Sequence, residues 1–276
     1  MPTGLLPPAP LQEGGSFSNH KPEAMLETRA LTIRFGGHVA VDHVSCAFAP
    51  GTLTAIVGPN GAGKTTYFNL ISGQLPATEG QVLLDGVDVT TLPAPLRTRR
   101  GLGRAFQLTQ LFPNLTVQEN VRLAVQARHG GGLDLLRVWL DRRDWIDEAR
   151  AILDTVRLAD KALSHASALP HGDQRKLEVA LLMALDPQVY MFDEPTAGMS
   201  VDEVPVILDL IRALKSKRDR TILLVEHKMD VVRELADRII VLHNGQLVAD
   251  GEPAEVIASP VVQQAYLGTA PVAEAA

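Results

Sequence analysis

Residues 58–66, Gly58-Pro59-Asn60-Gly61-Ala62-Gly63-Lys64-Thr65-Thr66, have the spacing of a phosphate-binding loop: Gly, four residues, then Gly-Lys-Ser/Thr. The preceding run Leu53 to Val57 is short, apolar and β-branched, so the loop leaves a strand. Tyr67 to Ser72 carries no breaker, so the loop enters a helix. Gly58, Gly61 and Gly63 let the backbone curl until successive N–H groups point inward at an anion. The helix beginning near Lys64 adds unpaired N–H groups and the positive end of its dipole. Lys64 suits the β- and γ-phosphates of a nucleotide, and the Thr65 hydroxyl suits Mg²⁺.

Upstream of the loop, residues 1–24 are rich in Pro, Gly and Ser and are expected to be a disordered tail. Met25 to Phe35 is a strand ended by Gly36-Gly37, and His43 to Phe48 is a second strand. Phe35, just before the glycine turn, is placed either to stack on an adenine face or to fill the core. Downstream, Gln81 to Val89 holds an Asp85-Gly86 hairpin turn, and Pro93 to Arg100 is a short basic helix. Thr116 caps a helix from Val117 to Ala127. Leu133 to Trp145, with Trp139 and Trp145, reads as an amphipathic segment, packed inside a helical lobe or forming a membrane-facing or partner-facing patch. Helices are expected over Asp147 to Val156 and up to Leu185.

Val189 to Phe192 is a strand-type run leading into Asp193-Glu194. Carboxylates at the end of a buried strand are unfavourable unless they meet a cation, which places Mg²⁺ beside the phosphate loop. Ser200 and Glu203 form a capping box for a helix whose buried face begins with Val201 and Val204. Thr221 to Val225 is a strand ending in Glu226-His227, and Asn244-Gly245 joins a β-hairpin. Short helices follow over 253–258 and 261–267. Strands alternating with helices give an α/β fold with a mostly parallel central sheet and the ligand at the carboxyl ends of its strands.

Composition narrows the function classes. A formal net charge of −6 argues against nucleic acid as a partner. With one cysteine, Cys46, no internal disulfide forms, and a reducing compartment fits. No apolar run reaches the roughly 20 residues of a membrane span, and the N-terminus lacks an export-signal pattern, so a cytoplasmic protein is expected.

Taken with Gln107, the run Leu169-Pro170-His171-Gly172-Asp173, Asp193-Glu194 and His227, the phosphate loop makes the chain resemble the ATP-binding subunit of ABC transporters from about Leu26 to Gly268. The resemblance implies the P-loop ATPase fold of that family: a mostly parallel central sheet, an N-terminal antiparallel β region and a helical subdomain. The catalytic lobe is then expected over 25–106 and 188–252, the helical lobe over about 107–187, C-terminal helices over 253–268 and a tail over 269–276. Arg34-Phe35-Gly36-Gly37, Thr196-Ala197-Gly198-Met199 and the ending from Pro260 to Gly268 are similar to branched-chain amino-acid importers, with urea importers and lipopolysaccharide exporters sharing parts.

By that resemblance, Phe35 and residues Gly58 to Thr66 bind ATP; Thr65, Asp193 and Gln107 hold Mg²⁺; Glu194 is general base or water-orienting residue; and His227 contacts the γ-phosphate. Leu169 to Asp173 is the signature that acts on a partner's nucleotide. The implied partners are a second ATPase subunit, typically a different chain, two membrane permease subunits and, indirectly, a periplasmic or extracellular substrate-binding protein, at the cytoplasmic face of the membrane. The chain departs from the family pattern where Pro170 replaces a serine, Asp173 a glutamine and Ser200 an aspartate.

Overall fold

The computed structural model describes residues 25–105, 111–130, 143–260 and 262–263. In chain order, a hairpin of β1 (Leu26–Phe35) and β2 (His38–Phe48) precedes β3 (Leu53–Val57) and helix α1 (Lys64–Ser72). A second hairpin, β4 (Glu79–Leu84) and β5 (Val87–Asp88), leads to helix α2 (Ala94–Arg99) and strand β6 (Leu102–Ala105). Helices α3 (Val117–Arg128), α4 (Arg143–Thr155) and α5 (His171–Leu185) follow. The chain then alternates through β7 (Val189–Asp193), α6 (Val204–Ser216), β8 (Thr221–Val225), α7 (Met229–Leu235), β9 (Arg238–His243), β10 (Gln246–Gly251) and α8 (Pro253–Ala258).

Two sheets result, one in the order β10-β9-β3-β8-β7-β6 and one in the order β2-β1-β4-β5. The first is parallel except for β10, and the second is antiparallel throughout. Strands β3, β7 and β8 are buried at every position, as expected of parallel strands covered on both faces. One face carries Ile56, Met191 and Leu223 against Phe68 of α1 and Phe48 and Val41 of the antiparallel sheet. The other carries Phe192, Tyr190 and Leu224 against Leu177 of α5, Leu153 of α4, Val121 of α3 and Leu208 of α6. The helices over 117–185 therefore share one apolar core with the sheet. Among the described residues no helix is long and apolar enough to cross a membrane.

Several expectations change. Strand β2 begins at His38 and not His43, because the pairing with β1 shifts between Leu31↔Val44 and Ile33↔Val41 and His43 has φ 52°. The extra residue of that bulge breaks the apolar alternation without ending the strand. Strand β6 was not expected, since Gly101 and Gly103 flank its single buried leucine. Helix α6 starts at Val204, and Val201 is 87% exposed instead of buried. The Ser200 N–H and hydroxyl both donate to the Glu203 carboxylate (3.2 and 2.9 Å), which holds 201–203 as a turn, and Pro205 sits in the first helical turn. Trp145 is 7% exposed, packed in the core and stacked at 6.2 Å on His129, so it does not face outward. The tail 1–24, Gln107, Trp139 and the stretch from 264 onward lie outside the described residues.

Candidate nucleotide and metal site

Three parallel strands end side by side at the site. β3 delivers the phosphate loop, β7 delivers Asp193 and then Glu194, and β8 is followed by Glu226 and His227. A cavity of about 320 Å³ opens there, lined by Asn60 to Thr66, Glu194, His227, His38 and Ala40. A larger cavity of about 480 Å³, beside Gly51, Lys215 and Arg218, lies at the opposite, amino-terminal ends of these strands, away from every motif residue.

Two of the loop's glycines, Gly58 and Gly63, are required by close backbone approach. Gly63 has φ 97°, and a Cβ there would lie 2.5 Å from the Ala40 carbonyl oxygen of β2. A Cβ on Gly58 would lie 2.2 Å from the Leu242 carbonyl oxygen of β9. Lys64 folds over the loop, donating from Nζ to the carbonyl oxygens of Gly58 (2.6 Å) and Pro59 (2.9 Å). Burial lowers the pKa of its ammonium, and the nearby charges of Glu194 and Asp193 oppose that shift.

Glu194 adopts φ 50°, uncommon for a side chain with a Cβ and a form of local strain that concentrates at functional sites. Its N–H donates to the Val225 carbonyl oxygen (2.9 Å), and its Oε1 lies 2.6 Å from His227 Nε2. Behind this pair stands Glu226, which sequence reasoning passed over. Its buried carboxylate accepts the His227 N–H (2.8 Å), the Lys228 N–H (3.3 Å) and the Thr196 hydroxyl. The signal was available, because the rule that singled out Asp193, a carboxylate closing a buried strand, applies equally to Glu226.

Asp193 is buried and ion-paired through Oδ2 with Arg104 (2.6 Å), while its Oδ1 is buried without a hydrogen-bond partner. Among the described residues no group of three or more His, Cys, Asp or Glu could hold a metal by itself. A free carboxylate oxygen and the Thr65 hydroxyl are hard oxygen donors of the kind Mg²⁺ takes when phosphates and water complete its shell. The residues present fit the ion.

Phe35 is 50% exposed and pairs in register with His38, which lines the cavity, so it stands beside the site and not in the core. The signature residues line none of this cavity. Pro170 is the N-cap of α5 and makes no side-chain cap hydrogen bond. A Cβ on Gly198 would lie 3.2 Å from the His171 ring, and one on Gly172 would lie 2.0 Å from the Glu203 carboxylate. The start of α5 thus packs against the segment 198–203. Asp173 is buried and paired with Lys176 (2.8 Å) and Lys161.

Residues 41–197 match the ABC transporter family, and residues 246–271 match the family described as branched-chain amino acid ATP-binding cassette transporter. The high-affinity branched-chain amino acid transport ATP-binding protein LivG of Escherichia coli is 38% identical over 253 residues, covering 90% of this chain and 99% of that protein. The corresponding protein BraF of Pseudomonas aeruginosa is 37% identical over 252 residues, covering 89% of this chain and 98% of its own. Among solved structures, an ABC-transporter ATP-binding cassette in its ADP conformation superposes with a TM-score of 0.76 at 30% identity, covering 89% of this chain and 99% of that one. A dimeric cassette in a post-hydrolysis state with ADP and Pi gives 0.73 at 25% identity, covering 83% of this chain and 99% of the other.

Proposed function

The chain belongs to the ABC transporter family of ATP-binding cassettes, and from that premise we propose that it is the ATP-hydrolysing subunit of an importer of branched-chain amino acids. The observation that carries the chemistry is the contact between Glu194 and His227 at the mouth of the phosphate-loop cavity. The match over 246–271 supports the branched-chain assignment over urea import or lipopolysaccharide export.

The loop N–H groups, the start of α1 and Lys64 receive the phosphates of ATP. Lys64 exchanges its carbonyl contacts for phosphate oxygens. Thr65 and Asp193 would hold Mg²⁺, which when bound would supply positive charge to the phosphate oxygens. With Glu194 as carboxylate, His227 Nε2 carries the hydrogen and donates to Oε1, leaving Oε2 to accept from the attacking water. Glu226 fixes the backbone of His227 so that this hydrogen bond is in place before the substrate arrives. Phosphoryl transfer then rests on positioning and charge stabilisation. Gln107, outside the described residues, keeps the role that the resemblance implies, beside the metal and the lytic water, and Phe35 stacks on the base.

In the assembly two such cassettes face each other, the second a different chain, and two permease subunits at the cytoplasmic face receive the motion. A substrate-binding protein outside the membrane delivers the amino acid. The test is Glu194→Gln, which keeps size and hydrogen bonding. ATP binding, measured by calorimetry, is expected to persist while turnover falls about 10²–10³-fold. Turnover close to wild type would remove Glu194 from the water-polarising role.

A further inference from the structure

Arg104 has no part in the chemistry above, yet it is the group most closely tied to Asp193. It stands on β6 opposite Met191 of β7. Its Nη1 donates to three oxygens at the far end of α1 and just beyond: Asn69 Oδ1 (2.7 Å), Ser72 Oγ (2.9 Å) and Gln74 Oε1 (3.1 Å). Its Nη2 donates to Asp193 Oδ2 at 2.6 Å, and the guanidinium carbon lies 5.4 Å from the centroid of the Phe68 ring. Both side chains of the ion pair are almost completely removed from solvent.

We propose that Arg104 is a positioning residue that sets which oxygen of Asp193 faces the metal. The guanidinium is a rigid planar fork, so anchoring one arm on α1 fixes the direction of the other. Oδ2 is thereby committed to Nη2, and Oδ1, buried and without a partner, remains as the acceptor for Mg²⁺ or its water shell. The same fork joins the helix that carries Lys64 and Thr65 to the strand that carries Asp193. The spacing between phosphate and metal ligands, already set coarsely by the packing of Phe68 on Met191, thus gains a direct polar tie through one side chain. A residue serving only to neutralise a buried aspartate would need its charge and not its fork, and this separates the two roles.

The inference rests on the reading of the cavity as a nucleotide and metal site, and the experiment keeps the two apart. Binding of ADP to the full-length chain is measured by calorimetry in EDTA, and binding of Mn²⁺ to the ADP-loaded chain by the loss of the free-ion EPR signal. Arg104→Lys keeps the charge but cannot span α1 and Asp193 together. It is expected to lower Mn²⁺ affinity about 10-fold or more, the range for outer-shell partners of a metal ligand, and to leave metal-free ADP binding unchanged. Asn69→Ala, which loosens the anchor without stranding a charge, is expected to give a smaller loss in Mn²⁺ affinity, again with metal-free ADP binding intact. It carries the measurement alone if the lysine variant does not fold. Wild-type Mn²⁺ affinity in the folded variants would overturn the positioning role, as would equal losses with and without metal. Failure of the wild-type chain to bind ADP would overturn the site itself, and the role of Arg104 with it.

Discussion

Asp173 stands where the family pattern carries a glutamine, and its neighbours show what the carboxylate does there. Its burial would raise its pKa, but the ammonium groups of Lys161 and Lys176 outweigh that and hold it below the ordinary value. A carboxyl lowered in the folded state stabilises the fold at neutral pH, and that contribution is lost as the pH falls through the acid range. Asp173→Asn should therefore lower stability by about 1 kcal/mol at neutral pH, a modest figure because Lys161 remains open to water. The gap in Tm between variant and wild type should close in acid, and a gap independent of pH would show that shape and not charge is at work. At this scale the sequence was informative wherever a residue type had a single use. The spacing Gly58-Gly63-Lys64-Thr65 announced a phosphate loop, and Asp193-Glu194 a cation. Arg104 was not legible, because a lone arginine on an edge strand has no pattern, and only the fold brings it against α1 and β7 at once.

Helix α4 puts Trp145 into the core between α3 and α5, stacked on His129 and beside Ala149 and Leu153. Trp145→Ala should destabilise the isolated subunit by about 3–5 kcal/mol, as for other large aromatic truncations. ATPase activity per folded molecule should remain. Loss of activity at unchanged Tm would return this tryptophan to a functional surface. Elements with long periodic faces or strong caps were legible, among them α5 and α3, where the Thr116 hydroxyl accepts the Glu119 N–H at 3.1 Å. The turns of the β4–β5 and β9–β10 hairpins were legible too, with positive φ at Asp85 and Gly86 and at Asn244 and Gly245. Helix α7 spans only seven residues, too few to show a period. The basic helix α2 concealed its most important feature. Arg97 is buried and donates to the carbonyl oxygens of Leu70 (2.7 Å) and Ile71 (2.6 Å), closing the end of α1. Such a helix-end partner is invisible until the chain returns to it.

At the scale of the proposed transporter, Pro170 brings neither hydroxyl nor N–H to the start of α5, so this chain's signature is expected to serve a facing nucleotide poorly. In a pair of unlike subunits, Glu194→Gln here should stop most turnover in the reconstituted transporter, about 10²-fold. The equivalent change in the partner should have much less effect, and equal losses would sink the asymmetry. The phosphate loop has a different consequence. It is wedged between backbone carbonyls of two sheets, Ala40 of β2 at Gly63 and Leu242 of β9 at Gly58. A loop clamped in this way has its shape before any ligand arrives, so nucleotide exchange requires little ordering of the chain. It acts as the fixed jaw of a vice. The start of α5 meets 198–203 instead through the side chains of His171 and Glu203, which can turn where a carbonyl cannot, so movement is expected at that contact before it is expected in the loop.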